Sequence, residues 1–495
     1  MPAFNPAQLA AWTAGRWTAA PARAPAGFST DTRTLRPGEI FVALRTPKRD
    51  GHGFLPAALA AGASAAIVAR ASAPPALPQL VVADPLAAFQ AVARGHRRAF
   101  PGAVVAVSGS AGKTSTKDLL ALLLGGAPAV LATGGNLNNH IGVPLTLTRL
   151  DPAAHTHAVI EAGISAPGEM ETLASMIEPD HGIITLVAPA HTGELGNLEN
   201  VAREKSVLLR RVRPGGARIF PASCLGHPAF AGLDGGTVVE EIPSGRSGRP
   251  GNPEIPNPEI PNPKKIPNPE NSKSQGGGID AAGAGVCFYS AAFTDGGTGL
   301  ALGGGRRFTF RRVTRGMAQN AALAVILAAR LGVSDARIQA ALAAWRPAKW
   351  RGEIRRDARG RLLYLDCYNA NPASFADALE TFHALAPGRQ PRLYVLGCME
   401  ELGADAGCHH RALGAALKLR ARDELFITGG HAGAVAEAAV EAGADASRIT
   451  LFDTPDGAAA RVAEFPGPVF VKGSRRHALE RVLPGGGKED AAWAS

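Results

Sequence analysis

The stretch that most constrains the fold is VSGSAGKTSTKDLL, residues 107–120. An apolar run, AVVAVSG, leads into it, and an apolar helix-like stretch follows. Strand, small-residue loop, lysine, hydroxyl and helix, in that order, suggest a phosphate cradle. The general pattern G-x-x-x-x-G-K-[ST] is not met, because Val107 stands where the pattern has its first glycine. What remains is Gly109-x-x-Gly112-Lys113-Thr114. The physical logic survives: small residues let backbone N–H groups approach phosphate oxygens, and a helix N-terminus favours negative charge. Lys113 would reach terminal phosphates and the Thr114 hydroxyl would ligate Mg²⁺. Gly109, Ser110, Gly112 and Ser115 complete the expected nucleotide-binding set. The plainer alternative is a glycine turn before a helix with an exposed lysine.

At 495 residues the chain is too long for one ordinary core, and three domains or so are expected. Short apolar runs (EIFVAL, AAIVA, LVVAD) alternate with Ala-rich helical stretches over residues 1–100 and predict a small α/β domain. Residues 101–345 carry the βαβ rhythm of a parallel sheet, with HAVIEAG and HGIITLV among its strands. The pattern restarts near residue 346, and GRLLYLDCYNANP, RLYVLG, ELFITGG and PVFVKGS predict a doubly wound, Rossmann-like domain over 346–495. The fold class is α/β throughout. Residues 242–278 stand apart, with a degenerate IPNPE repeat. Each proline fixes φ and removes a donor, so polyproline II or disorder is expected there, in a surface insertion of the middle domain.

The net charge is +10, but arginines are spread along the chain and aromatics are only 5 %, so a basic enzyme of anionic substrates fits better than a nucleic-acid binder. Five cysteines without a CxxC pair fit a reducing cytoplasm. Cys408-His409-His410 has no spaced partner motif and is not read as a zinc site. The N-terminus lacks the basic and apolar regions of a signal peptide. The Ala-rich stretches break before about 18 residues, so no membrane insertion is expected. A monomer is expected.

Other stretches converge on the same chemistry. TGGNLNNHIGVPLTLTRL, residues 133–150, is rich in side-chain amides (Asn136, Asn138, Asn139) that could bind polar substrate groups or cap turns. Glu161 ends an apolar strand, where ligands sit in open α/β sheets. It could bind Mg²⁺ or cap a helix. PAHTGELGNLENVAREKS carries His191 and, fourteen residues on, Lys205. With Glu199 and Glu204 nearby, Lys205 reads from the pattern alone as an exposed helix lysine in i,i+4-type pairs.

Together these stretches resemble the Mur ligase family, the ATP-dependent amide-forming enzymes of peptidoglycan precursor synthesis. STDTRTLRPGEIFVAL with DGHGFLPAALAAGA resembles the family's UDP-sugar-binding domain. GSAGKTSTKDLL, GGNLNNHIGVPLTL and AHTGELGNLENVAREK resemble its ATPase domain, and DCYNANPASFADALETF with VKGSRRHALERV its C-terminal domain. NLNNHIGVPLT and YNANP discriminate most: they point to the member that joins D-alanyl-D-alanine to UDP-N-acetylmuramoyl-tripeptide. The resemblance implies ATP phosphate and Mg²⁺ at Lys113 and Thr114, and metal- and phosphate-region roles for Glu161 and His191. Lys205 matches a lysine that is carbamylated in the family and helps hold a second Mg²⁺. Asn320 matches an adenine-contacting residue. Asp366, Tyr368, Asn369 and Asn371 match a nucleotide-contacting segment, and Lys472, Ser474 and Arg475 a phosphate-facing loop. Ser29, Asp31, Thr32, Arg33, Gly51 and His52 match the uridine-nucleotide side.

Three departures stand out: TRGMAQN replaces a Gly-x-His-Asn stretch before Asn320, Cys398 replaces an aspartate in Gly-Asp-Met, and Thr192-Gly193 replaces a bulky apolar-acid pair. The implied reaction phosphorylates the tripeptide carboxylate with ATP and lets the dipeptide amine attack the acyl phosphate. Rival readings are a paralogous ATP-dependent amino-acid ligase and a non-catalytic nucleotide-binding protein. The N-terminal DTRTLRPGEIFVAL speaks against folylpolyglutamate- or cyanophycin-type paralogues, and Lys205 with KGSR against the non-catalytic reading.

Overall fold

The computed structural model describes residues 3–72, 76–242, 285–294 and 296–483. Apart from Ile242, the Pro-rich segment expected to be extended or disordered lies outside them. Three sheets of five, nine and six strands follow one another along the chain.

In the first sheet the strands Phe28–Ser29, Ile40–Val42, Ala65–Val68 and Gln79–Val81 run parallel, and Arg16–Trp17 adds an antiparallel edge. Alternate residues face opposite ways. Ile40, Val42 and Ile67 meet Phe89 and Val92 of the helix Pro85–Ala99, while Phe41, Ala66 and Val68 meet Leu55 and Ala58 of the helix Leu55–Ala60.

The same alternation builds the second sheet. In the strand Ala103–Ser108, Val105 and Val107 enter one core with the helices Lys113–Leu123 and Arg315–Arg330. Val104 and Ala106 enter the other core, with the helices Glu169–Ile177 and Leu198–Arg210. A strand covered on both faces must be apolar throughout, which is why AVVAV reads as a continuous run. The strands at 103–108, 130–132, 157–161, 181–184, 218–221, 236–241 and 285–294 are parallel. They form the parallel sheet expected here, and Gly297–Leu302 and Arg307–Phe310 continue it as an antiparallel meander that the sequence reading did not include. Their connections are too short for a helical crossover, so antiparallel pairing is the one geometry open to them.

The third sheet orders Glu353–Arg356, Leu362–Asp366, Val469–Lys472, Leu393–Gly397, Glu424–Thr428 and Ile449–Leu451, with the first pair antiparallel and the others parallel. Helices cover both faces: Pro372–Leu385, Ala406–Ala416 and Ala432–Glu441 on one, Asp456–Glu464 on the other. It is doubly wound as expected, with the last strand inserted between the first two parallel ones.

Candidate active site

The phosphate loop leaves the buried end of the strand Ala103–Ser108 and enters the helix Lys113–Leu123. Gly109 and Gly112 have φ of 148° and 80°, in the region that favours glycine. Their neighbours leave no room for a side chain. A Cβ at Gly109 would overlap the Thr185 hydroxyl, and one at Gly112 would overlap the Asn320 amide. Ser110 is tied down from below: its N–H donates to Leu186 O (2.8 Å) and its hydroxyl to Ala188 O (2.8 Å).

Lys113 Nζ donates to Gly109 O at 2.9 Å, folding back over the loop. Burial lowers its pKa, Glu161 opposes that, and Arg351 adds to it. Glu161 is 2 % exposed and pairs in register with Val107, so the sheet sets it beside the loop. One carboxylate oxygen accepts from the Thr114 hydroxyl and the other from Asn138 Nδ2, both at 2.8 Å. A hydroxyl and a carboxylate at this spacing are hard oxygen donors suited to Mg²⁺. Among the described residues no cluster of three His, Cys, Asp or Glu forms a metal cage. Mg²⁺ needs none, because it is held by one or two side chains and substrate phosphates.

Around the loop lies a cavity of about 240 Å³ between the second and third sheets. Residues 110–115 line it, with Asn136, Asn138, Glu161, Asn320, Asp366, Tyr368, Asn369 and Asn371. Most of the nucleotide set read from the sequence is thus brought to one place. Asn371 Nδ2 donates to Ser110 O at 3.2 Å, joining the two sheets' domains at the loop. Lys472 lies one step back. It is fully buried, faces the Phe375 ring and pairs with Asp366, its register partner on the next strand. Ser474 is buried, and Arg475 pairs with Glu480; neither lines the cavity.

His191 and Lys205 also lie outside the lining but within electrostatic reach of Lys113. His191, at φ 55°, contacts Glu401 of the third domain. Lys205 is 2 % exposed, which overturns the exposed-helix reading. It faces inward from the helix Leu198–Arg210 and forms no ion pair among the described residues. Burial and the positive charge of Lys113 bring its pKa well below the usual lysine value.

Two of the three departures are seen in their local setting. Thr192 Oγ1 donates to Leu402 O at 3.0 Å, and a Cβ at Gly403 would lie 2.8 Å from Gly193 Cα, so small residues let two backbones meet here. The Cys398 thiol packs against Gly429, and burial pushes it up to about 11. Cys398 also lines a second cavity of about 630 Å³, at the carboxyl ends of the strands Leu393–Gly397 and Glu424–Thr428, with Glu400, Glu401, Asp453, Arg476 and His477.

On the first sheet, Ser29 Oγ donates to Asp31 O (2.9 Å), and Asp31 pairs with Arg33. Thr32 lies in the same turn. A Cβ at Gly51 would lie 2.6 Å from Ala43 C. His52 is engaged at both nitrogens: Nδ1 meets Asp50 Oδ1 at 2.6 Å and Nε2 accepts from the Ala69 N–H at 3.0 Å. It braces the Gly51–Phe54 turn. None of these six residues lines the two cavities. Asn139 Oδ1 accepts from the Ile141 and Gly142 N–H groups, so it caps a turn.

Sequence reasoning missed Arg351, Tyr364 and Asp377, all lining the first cavity. Arg351 stacks over the Tyr368 ring at 4.0 Å. It is one of several arginines in WRGEIRR, and no spacing singles it out.

The Mur ligase middle domain model matches residues 107–228, and the Mur ligase, glutamate ligase domain model matches residues 350–475. The chain is 31 % identical over 455 residues to the UDP-N-acetylmuramoyl-tripeptide--D-alanyl-D-alanine ligase of Escherichia coli (strain K12), covering 92 % of each chain. It is 27 % identical over 419 residues to the enzyme of that name from Bacillus subtilis (strain 168), covering 84 % of this chain and 82 % of the relative. Among solved structures, crystal structure I of MurF from Acinetobacter baumannii superposes with a TM-score of 0.78 at 26 % identity, covering 97 % of this chain and 98 % of that one. MurF ligase from Thermotoga maritima in complex with ADP shares the fold, with a TM-score of 0.72 at 23 % identity, covering 92 % and 96 %.

Proposed function

The chain belongs to the Mur ligase family, and from that membership we propose that it joins D-alanyl-D-alanine to UDP-N-acetylmuramoyl-tripeptide with ATP. The observation that carries the reading is the cavity in which residues 110–115 of the phosphate loop meet Asp366, Tyr368, Asn369 and Asn371 of the third domain. A nucleotide bound there touches both domains at once.

Direct attack of an amine on a carboxylate fails because oxide is a poor leaving group. In the proposed reaction the tripeptide's terminal carboxylate attacks the γ-phosphorus, ADP leaves, and an acyl phosphate forms. The dipeptide's amine then attacks the acyl carbon, loses a proton, and inorganic phosphate departs. The protein's part is positioning and charge stabilisation. Lys113 and the loop N–H groups meet the phosphates. Thr114 and Glu161 would hold Mg²⁺, which offsets the negative charge that gathers during transfer. Arg351, held over Tyr368, adds a cation on the third domain's side.

Lys205 is assigned as a carbamate. Its buried amine forms no ion pair among the described residues, and burial with the charge of Lys113 lowers its pKa against the pull of Glu204, which favours the neutral form. That form adds CO₂ and releases a proton, giving an anionic oxygen ligand. The second cavity, with carboxylates at Glu400 and Glu401 and a cation at Arg476, suits a zwitterionic dipeptide. The division of labour follows residues 1–100, 101–345 and 346–495: UDP-sugar on the first, with Ser29, Asp31, Thr32 and Arg33; ATP on the second; closure by the third. Closure keeps water from the acyl phosphate.

The test is incubation with UDP-N-acetylmuramoyl-tripeptide, D-alanyl-D-alanine, ATP and Mg²⁺. The expected result is one pentapeptide product and one phosphate per ATP, and neither when any substrate is omitted. Product formed with a single amino acid in place of the dipeptide would favour the paralogous ligase instead.

A further inference from the structure

The part of the first cavity formed by Gly316, Met317, Tyr364 and Asp377 takes no part in the phosphate chemistry. Three observations bear on what it meets. Tyr364 is fully buried, with its ring stacked on Phe470 at 5.2 Å, yet its hydroxyl has no hydrogen-bond partner among the described residues. Buried polar groups are nearly always partnered, so a lone hydroxyl beside a cavity points to a ligand.

Asp377 reaches from the helix Pro372–Leu385 to the start of the helix Arg315–Arg330, where Oδ1 accepts the Gly316 N–H at 2.9 Å. Gly316 makes this approach possible, since a Cβ there would lie 2.7 Å from Asp377 Oδ2. A carboxylate has about four lone-pair sites. Gly316 and Thr314 use part of that capacity, and burial raises the Asp377 pKa against their pull. A further donor would offset the lost hydration.

The third observation is position. Asn320 abuts Gly112 of the phosphate loop. Gly316 precedes it by four residues on the same helix, about 6 Å along the axis. A base tethered through a ribose to phosphates in the loop would lie at that distance.

We propose that Asp377 and Tyr364 read the base of the nucleotide: Asp377 accepts the exocyclic amine of adenine, and the Tyr364 hydroxyl donates to a ring nitrogen. The proposal rests on the ATP reading of this cavity and adds the residues that select the base. Guanine would set a keto oxygen against the carboxylate, acceptor against acceptor, which disfavours it.

The experiment is equilibrium binding, without turnover, of three nucleotides to the full chain: ADP, purine riboside 5′-diphosphate (which lacks the amine) and GDP. Wild type is expected to bind ADP about 10-fold or more tighter than either of the others, the size of one lost hydrogen bond. Asp377→Ala should weaken ADP alone, bringing it within about 2-fold of the purine riboside nucleotide. Asp377→Asn keeps an acceptor for Gly316 and turns an amide N–H to the base, so it should gain GDP relative to ADP. Tyr364→Phe should weaken ADP and the purine riboside nucleotide equally. Melting curves establish that each variant is folded, and the isosteric Asn variant guards against collapse at Gly316. An unchanged ADP-to-purine ratio in the folded Ala and Asn variants would overturn the proposal and leave Asp377 as a helix cap. Failure of wild type to bind any of the three would overturn the ATP reading itself.

Discussion

Lys205→Met separates the needs of folding from those of catalysis. The lysine is 2 % exposed on the inward face of the helix Leu198–Arg210, beside Val201, Ala202 and Leu209. Its amine lies in the field of Lys113 and has no ion-pair partner among the described residues. Methionine keeps an unbranched stem of similar volume and removes the charge. Burying an amine without a hydrogen-bonding or ionic partner costs free energy that an apolar side chain of similar volume does not incur. In enzyme freed of CO₂, the Met variant should therefore melt a few degrees higher than wild type. The sign of the pH dependence follows. The folded pKa is lowered, so above it the unfolded chain binds the extra proton, and wild-type stability rises with pH toward the ordinary lysine value of about 10.4. The advantage of the variant should shrink over that window. Turnover, in contrast, should fall by about 10²-fold or more, the scale of losing one preorganised charge-stabilising group. Lys205→Arg should be inactive as well, since it keeps the charge and cannot form a carbamate. Lys205→Ala should be partly restored by short carboxylic acids. Calorimetry and a phosphate-release assay read both sides. A Met variant that melts lower in CO₂-free buffer, or an active Arg variant, would refute the assignment.

Lys113→Ala should lower turnover by about 10²-fold or more while shifting the melting temperature little, because among the described residues Lys113 bonds its own loop at Gly109 O; near-normal ligation would remove it from the site. Gly112→Ala should cost about 1–2 kcal/mol for left-handed backbone and displace Asn320, read as a lower melting temperature and weaker ADP binding; unchanged ADP affinity would mean that nucleotide does not occupy the loop. Glu161→Gln retains shape but not charge at the Thr114 and Asn138 contacts, so the Mg²⁺ concentration for half-maximal rate should rise several-fold, and an unaltered Mg²⁺ requirement would exclude Glu161 as a ligand.

What the sequence made legible is what local pattern controls. AVVAVSG, followed by glycines, lysine and hydroxyl, shows as a strand, a positive-φ loop and a helix because those steps involve neighbours in the chain. Glu161 was legible through its place at a strand end. The burial of Lys205 was not, because the Glu199 and Glu204 spacing mimics a solvated helix face while tertiary packing turns Lys205 inward. His52 read as a substrate contact, yet Asp50 and the Ala69 N–H occupy both its nitrogens. Asn139 likewise serves its own turn. Asp377 was invisible because it acts across the seam between two domains, where Gly316 gives it meaning, and Arg351 because its stacking partner Tyr368 lies seventeen residues further along the chain. The meander at 297–310 was missed because its two strands are short, the first is rich in glycine, and its parallel neighbours dominate the pattern.

The central claim, carboxylate activation by phosphoryl transfer in the cavity around residues 110–115, is tested most directly by an oxygen label. UDP-N-acetylmuramoyl-tripeptide is prepared with ¹⁸O in both oxygens of its terminal carboxylate and turned over with unlabelled ATP and D-alanyl-D-alanine. Mass spectrometry of the products then locates the label. An acyl phosphate requires that one ¹⁸O leave in inorganic phosphate and one remain in the new amide carbonyl. Inorganic phosphate free of ¹⁸O after complete ligation would contradict the mechanism.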